Sequence, residues 1–281
     1  MRQSVINSSA DLLLRAVRSA LNVIIQRVDL SEKLTGQEYI TGSSTALTNT
    51  TDHSLCPSNQ ESENADVFDD NMSPKMTEQS LRNICVKHSQ YTVPELNDIL
   101  YLHYIGFRKI ENLDKYTGVK CLWLSHNGIS KIENLSNLPL LTCLYLQNNC
   151  INSINGIKHI RSLKVLNLSH NFIRHVTDEI SQLSHLISLD ISHNYISGGL
   201  KFLSDCKNMT TLDISNNKID RIDEFFQITN LQQVKVLNLM GNSVLGMIGN
   251  YRLNMVLDMM NLTYLDDMPV FYRERLSAEA W

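Results

Sequence analysis

The sequence predicts an α/β fold, a solenoid of short stacked coils, and three spacings predict it. The pair Leu-x-Leu, with Ile191 and Ile214 in the second place of the fifth and sixth pairs, recurs with its first leucine at Leu100, Leu122, Leu144, Leu166, Leu189, Leu212 and Leu237. Five residues after that leucine, from the second pair on, stand Asn127, Asn149, Asn171, Asn194, Asn217 and Asn242. Two residues further come Ile129, Ile151, Ile173, Ile196, Ile219 and Val244. The steps between first leucines are 22, 22, 22, 23, 23 and 25 residues, so one supersecondary unit is written about seven times.

Each position in the unit has a physical reason. Alternate leucines point inward from a short strand, and later apolar residues such as Ile132 and Leu135 close the coil behind it. One coil cannot bury its own apolar face, so neighbours stack into a common core. Where a coil turns inward, backbone N–H and C=O groups are buried, and a side-chain amide offers both a donor and an acceptor to them. The recurring asparagines are therefore expected to form a structural ladder. The pattern is that of a leucine-rich-repeat solenoid: a curved parallel β-ribbon with short helical or irregular convex segments.

Both open ends need covers. Residues 76–99 are expected to form an N-terminal helical cap, with Leu81, Ile84 and Cys85 at helical spacing. The repeats run over 100–242, and the first coil is degenerate, with Ile105 where the asparagine belongs. Residues 243–281 are expected to form a C-terminal cap and the start of a helix. Tyr251, Val256, Leu257, Met260, Leu262 and Leu265 are its candidate inward residues.

Residues 1–75 differ in kind. Leu13, Val17, Ala20, Leu21, Ile24 and Val28 are spaced for one amphipathic helix. Its arginines would also suit an organelle presequence, but we expect a tail helix, or sequence upstream of a native start at Met76. Residues 31–75 are rich in Ser, Thr, Asn and acids and nearly free of aromatics, which predicts a disordered linker.

The chain has 281 residues and a net charge of −4. The acidic excess lies in residues 1–75, with 6 basic against 10 acidic residues, leaving the repeats neutral. A neutral body lacks the clustered basic face that displaces counterions from phosphates, so no nucleic-acid partner is expected. No apolar run reaches the length of a membrane span, and no membrane partner is expected. The six cysteines contain no CxxC pair, which argues against a zinc site and fits a reducing compartment.

Function is expected on the strand face. Between the paired leucines stand Tyr101, Trp123, Tyr145, Asn167, Asp190, Asp213 and Asn238, all projecting outward on the concave side. Aromatics in a row suit a protein interface, because they bury large areas at small entropic cost. The competing expectation is that the N-terminal cap helix or the tail folds over them. Asp190 and Asp213 would select a basic or polar partner segment.

Other chemistry has less support. His126, His170 and His193 recur in S-H-N, but only His170 and His193 fall on adjacent coils, without a carboxylate or thiolate at ligand spacing. Neither a metal nor another cofactor is expected. Cys121 and Cys143 occupy equivalent strand positions whose Cα spacing would permit a disulfide, although free thiols are expected in a reducing compartment. With no Gly-rich phosphate loop, nucleophile elbow or paired catalytic carboxylates in the sequence, no enzymatic role is expected.

Beyond the repeat frame, several stretches carry a more specific resemblance: LNDILYLHYIGFRKIENL, YTGVKCLWLSHNGISKIENL, VKVLNLMGN, LTYLDDMPVF and AEAW. Over residues 76–281 the chain resembles the dynein axonemal assembly factor 1 family, whose repeats are of the short type also found in regulators of protein phosphatase 1. Members usually carry Pro where Ser243 stands, and they continue past AEAW into a long charged helical region, so the chain resembles a fragment. The resemblance implies a non-enzymatic factor for cytoplasmic preassembly of the dynein arms of motile cilia. It implies axonemal dynein chains, chaperones and other assembly factors as partners, and a cytoplasmic, cilium-associated location. A regulatory subunit of protein phosphatase 1 and a structural axonemal component are the alternatives.

Overall fold

The computed structural model describes residues 73–280, all of them within the compact unit Asp52–Trp281. The helix and linker expected before residue 73 lie outside the described residues. Each of the seven leucine pairs marks one strand: β1 (Ile99–Tyr101), β2 (Cys121–Trp123), β3 (Cys143–Tyr145), β4 (Val165–Asn167), β5 (Ser188–Asp190), β6 (Thr211–Asp213) and β7 (Val236–Asn238). They pair in sequence order, parallel, with leucine opposite leucine from Leu100 to Leu237.

The core is one continuous column. The inward pair is buried in every coil, with Ile191 and Ile214 as its second members in the fifth and sixth, and so are Ile129, Ile151, Ile173, Ile196, Ile219 and Val244 behind it. Ile132 and Leu135 close the coil as the spacing predicts. The asparagines join consecutive coils. The Asn127 Oδ1 accepts from the backbone N–H of Ile105, Gly106 and Phe107 at 3.2, 2.8 and 3.0 Å, while its Nδ2 donates to the Leu102 and Leu124 carbonyls. The degenerate first coil is thus served by its neighbour's asparagine. Asn171, Asn194, Asn217 and Asn242 repeat the arrangement, each accepting from the coil before and donating to carbonyls of two coils.

Coil length sets what stands opposite the strands. The three 22-residue steps contain turns alone, whereas the 23-residue steps hold 3₁₀ turns at Asp178–Gln182 and Leu200–Asp205. The 25-residue step has room for helix α2 (Ile222–Thr229), which buries Phe225 and Ile228.

The N-terminal end is covered by α1 (Glu78–Lys87), which opens on a capping box between Thr77 and Ser80. It buries Leu81 and Cys85, and Met76 beside it is 1% exposed. At the other end, α3 (Tyr251–Asp258) presents Met255 and Val256 to the core, with Met259 just after it. The expected inward residues Leu257 and Met260 point outward, at 42% and 58% exposure. The face is rotated by about one residue, because Met255 and Met259 sit four apart on the stripe that meets the last coil.

Two further strands escaped the sequence reading. β8 (Tyr264–Leu265) adds a parallel rung to β7, and β9 (Met268–Pro269) returns antiparallel to β8. Asp266 and Asp267 between them have φ of 52° and 60°, the two positive values that a tight primed hairpin turn requires. The antiparallel turnback ends the parallel edge on a two-residue strand, which leaves little template for a further strand. Helix α4 (Tyr272–Glu279) then packs on α3.

Candidate partner-binding face

Alternation along each strand sends the leucines inward and the residue between them outward, so the seven expected residues form one registered row. Tyr101, Trp123, Tyr145, Asn167, Asp190, Asp213 and Asn238 are consecutive Cα partners across six strand pairs. The row has two halves of different construction.

In the aromatic half, the Tyr101 and Trp123 rings are tilted at 6.4 Å, and Trp123 stacks on Tyr145 at 4.0 Å with 14° between planes. Exposure is uneven. Tyr145 is only 8% exposed, so it supports the stack from beneath, while Trp123 is half-buried. Burial pushes the Tyr145 hydroxyl well above the ordinary phenol range, with the Cys143 and Cys121 sulfurs adding to it.

The cap does reach this half, but only at its margin. His88, just past α1, lies 5.8 Å from Tyr101 and 6.1 Å from His103. A second row follows the first and was missed by sequence reasoning. Tyr104 stacks on His126 at 4.1 Å, and His103 meets Tyr104 edge-on at 5.7 Å. The run Y-L-H-Y at 101–104 carried the signal, since His103 falls on the strand face by the same alternation as Tyr101. Burial holds the His88, His103 and His126 imidazoles below the usual histidine range, so the patch is neutral and aromatic near pH 7.

Three polar atoms in this patch, His103 Nδ1, His126 Nδ1 and Gln147 Oε1, are buried without a hydrogen-bond partner in the protein. Buried polar groups normally have one. An extended polypeptide carries donors and acceptors of both kinds along its backbone, in addition to side chains that could lie on the rings.

The polar half is held by its own hydrogen bonds. Asn167 Oδ1 accepts from the Ser169 N–H at 2.9 Å, Asp190 Oδ1 from the Ser192 N–H at 3.1 Å, and Asp213 Oδ1 from the Ser215 N–H at 2.9 Å. Each side chain therefore holds its own backbone two residues on, as Asn and Asp do in turns. Asn167 also donates to Asp190, and Asn238 to Asp213. Burial raises the Asp190 carboxyl, against two hydrogen bonds from Ser192 that lower it.

The S-H-N histidines have a backbone explanation. Tyr104, His126, Asn148, His170, His193 and Asn216 all have φ between 52° and 56°, the left-handed region in which Asn and His are enriched. His170 and His193 stack at 4.1 Å, as their adjacency predicts. No group of three or more His, Cys, Asp or Glu side chains able to hold a metal occurs among the described residues. Nor is any helix of the described residues long and apolar enough to cross a membrane.

Comparison with known proteins agrees with this architecture. The family model for two-copy leucine-rich repeats matches residues 117–159 and 184–227, and the single leucine-rich repeat model matches 162–183. Dynein axonemal assembly factor 1 of Rattus norvegicus is 54% identical over 54 residues, which is 19% of this chain and 8% of that protein. The Homo sapiens protein of the same name is 56% identical over 50 residues, covering 18% of this chain and 7% of that protein. The Drosophila melanogaster homolog is 53% identical over 49 residues, covering 17% of this chain and 3% of that protein. The match thus spans less than a tenth of each relative's length. Among solved structures, an internalin from Listeria monocytogenes shares the solenoid fold, with a TM-score of 0.52 and 23% identity over 67% of this chain and 49% of that one.

Proposed function

We propose that the repeats form a non-enzymatic protein-binding scaffold that acts in the cytoplasmic preassembly of axonemal dynein arms, and so in building motile cilia. Its partners in this proposal are axonemal dynein chains, chaperones and other assembly factors, and its location is cytoplasmic and cilium-associated. The observation that carries the proposal is the 52–56% identity, over about 50 residues, to several proteins named dynein axonemal assembly factor 1. The strand face supports it physically, because a half-buried indole on a stacked tyrosine is the type of anchor that dominates interfaces.

The test is affinity capture by the full chain from a lysate of ciliated cells, with partners identified by mass spectrometry, beside the same capture with Trp123→Ala. Dynein chains or chaperones retained by the wild type and lost from the variant are the expected result. If Trp123 is a hot spot, binding weakens by about 2 kcal/mol, roughly thirtyfold in Kd. Capture dominated by a phosphatase catalytic subunit would replace the proposal with a phosphatase regulator, and partners indifferent to the variant would move the site off this face.

A further inference from the structure

Cys121 and Cys143 are Cα partners on β2 and β3, and both are free and half-buried. In-register neighbours on parallel strands lie about 4.8 Å apart, inside the roughly 4.4–6.8 Å range of Cα separations that a disulfide spans. Each stands two residues before a member of the stack, Trp123 and Tyr145, and so shares its face. Cys85 and Cys206, by contrast, are sealed in the core.

We propose that Cys121 and Cys143 form a reactive dithiol, a modification site that low-molecular-weight disulfides convert reversibly into an intrachain Cys121–Cys143 disulfide.

The surroundings assign the two sulfurs different roles. The Cys121 thiol hydrogen-bonds to Cys143, which favours the Cys143 thiolate and disfavours ionisation of Cys121. The Thr142 hydroxyl lies 3.9 Å from the Cys143 sulfur, and the Lys164 charge also favours the anion. Thiolates are the attacking species in exchange. The Cys143 thiolate attacks one sulfur of R–S–S–R, forming a mixed disulfide and expelling R–S⁻. Cys121 then gives up its proton to that departing thiolate, attacks the Cys143 sulfur and expels the second R–S⁻. The pair loses two electrons and one disulfide is reduced to two thiols, so the exchange balances.

Geometry also makes the bond a labile one. A disulfide draws its Cβ atoms to about 3.5–4.5 Å, whereas parallel rungs hold them near the strand spacing of about 4.8 Å. Closing it pulls β2 and β3 together beside the indole, and strained, accessible disulfides belong to the easily reduced class. The bond is therefore suited to switching rather than to holding the fold.

The experiment incubates the full chain with excess oxidised glutathione, blocks remaining thiols with N-ethylmaleimide and maps tryptic peptides by mass spectrometry. The expected product links Cys121 in the peptide of residues 121–131 to Cys143 in that of 132–158, whose Cys150 is already disulfide-bonded, with fragment ions placing the new bond on Cys143. Excess reduced glutathione should reverse it, and Cys85 and Cys206 should react at least tenfold more slowly. With Cys121→Ser the resolving sulfur is gone, so Cys143 should accumulate as a mixed disulfide with glutathione; circular dichroism checks that this variant is folded. In a Trp281→Phe background, which leaves Trp123 as the only indole, emission should change in step with the crosslink. Persistence of both thiols in the folded chain, or mixed disulfides without a crosslink in the wild type, would each overturn the proposal.

Discussion

The indole of Trp123 lies flat on the ring of Tyr145, 4.0 Å between centroids, yet Trp123 is half-buried while Tyr145 is only 8% exposed. The two halves of the stack should therefore respond differently to truncation. Tyr145→Ala removes a ring that is 8% exposed and should cost about 3 kcal/mol of stability, as buried aromatics do. Trp123→Ala should cost closer to the 0.5–1.5 kcal/mol of a lost aromatic pair, about 1 kcal/mol, while carrying the larger loss of partner affinity. Urea unfolding of both variants checks this, and equal destabilisation would show that Trp123 is a core residue.

Asn149 should be among the least replaceable polar residues. Its Oδ1 accepts from the Ile129 N–H at 3.1 Å, and its Nδ2 donates to the Leu124 and Leu146 carbonyls at 2.9 and 3.0 Å. Asn149→Ala strands three backbone groups on two coils at about 1–3 kcal/mol each. A clear drop in Tm is expected; an unchanged Tm would refute the ladder's role in stability.

Gly156 tests the turn geometry. Its φ is +105°, and a Cβ there would sit 1.8 Å from the Ile132 carbonyl oxygen of the preceding coil. Gly156→Ala should destabilise the chain by about 3 kcal/mol or more, through strain and forced coil separation together. Gly249, where a Cβ meets nothing within 4 Å, is the control. Chemical denaturation of the two alanine variants should separate them widely, and similar midpoints would contradict the coil contact.

Acidification should weaken the aromatic end. Burial lowers the His103 pKa, and the charges of His88 and His126 add to the effect. The unfolded chain therefore takes up protons near pH 6.5 that the folded chain refuses. Stability from this group is complete above that pH and falls as pH drops through 6.5 toward the lower folded value. Asp190 and Asp266, raised by burial, work in the opposite sense at lower pH. Comparing wild type with His103→Gln between pH 7 and 5.5 isolates the histidine: the variant should lose less stability over that interval, and parallel curves would dismiss it.

The C-terminal cover hangs on Arg252. Its guanidinium pairs with Glu274 at 2.6 Å and donates to the Leu265 and Pro269 carbonyls, tying α3 to α4 and to the β8–β9 hairpin. Arg252→Ala should cost about 2–3 kcal/mol, as lost bonds to a charged group do. Hydrogen exchange should accelerate at β8 and β9 while β2 to β5 keep their protection. Uniform acceleration would mean that the cover and the repeats open as one unit.

The repeats were legible because Leu100 to Leu237 and Asn127 to Asn242 do the same job at nearly constant spacing, and a period is visible in one sequence. The β8–β9 hairpin was not, since two-residue strands leave no alternation to read and Asp266-Asp267 declares a turn only through its φ values. The outward row was legible in position but not in chemistry. Nothing in the letters separates Asp190 as a solvated acid from Asp190 as a hook for the Ser192 N–H, because that depends on a hydrogen bond two residues away. Tyr145 reads like Tyr101 for the same reason: its depth comes from the Trp123 ring laid over it.

The growing coil length has a mechanical meaning. On the strand side every coil advances by about 4.8 Å, while packed helices need about 8–10 Å between axes. The first three steps carry only turns on the far side, whereas the last carries α2. Three extra residues between Leu212 and Leu237 thus make room for α2, which stands on the far side against the 3₁₀ turn at Leu200–Asp205.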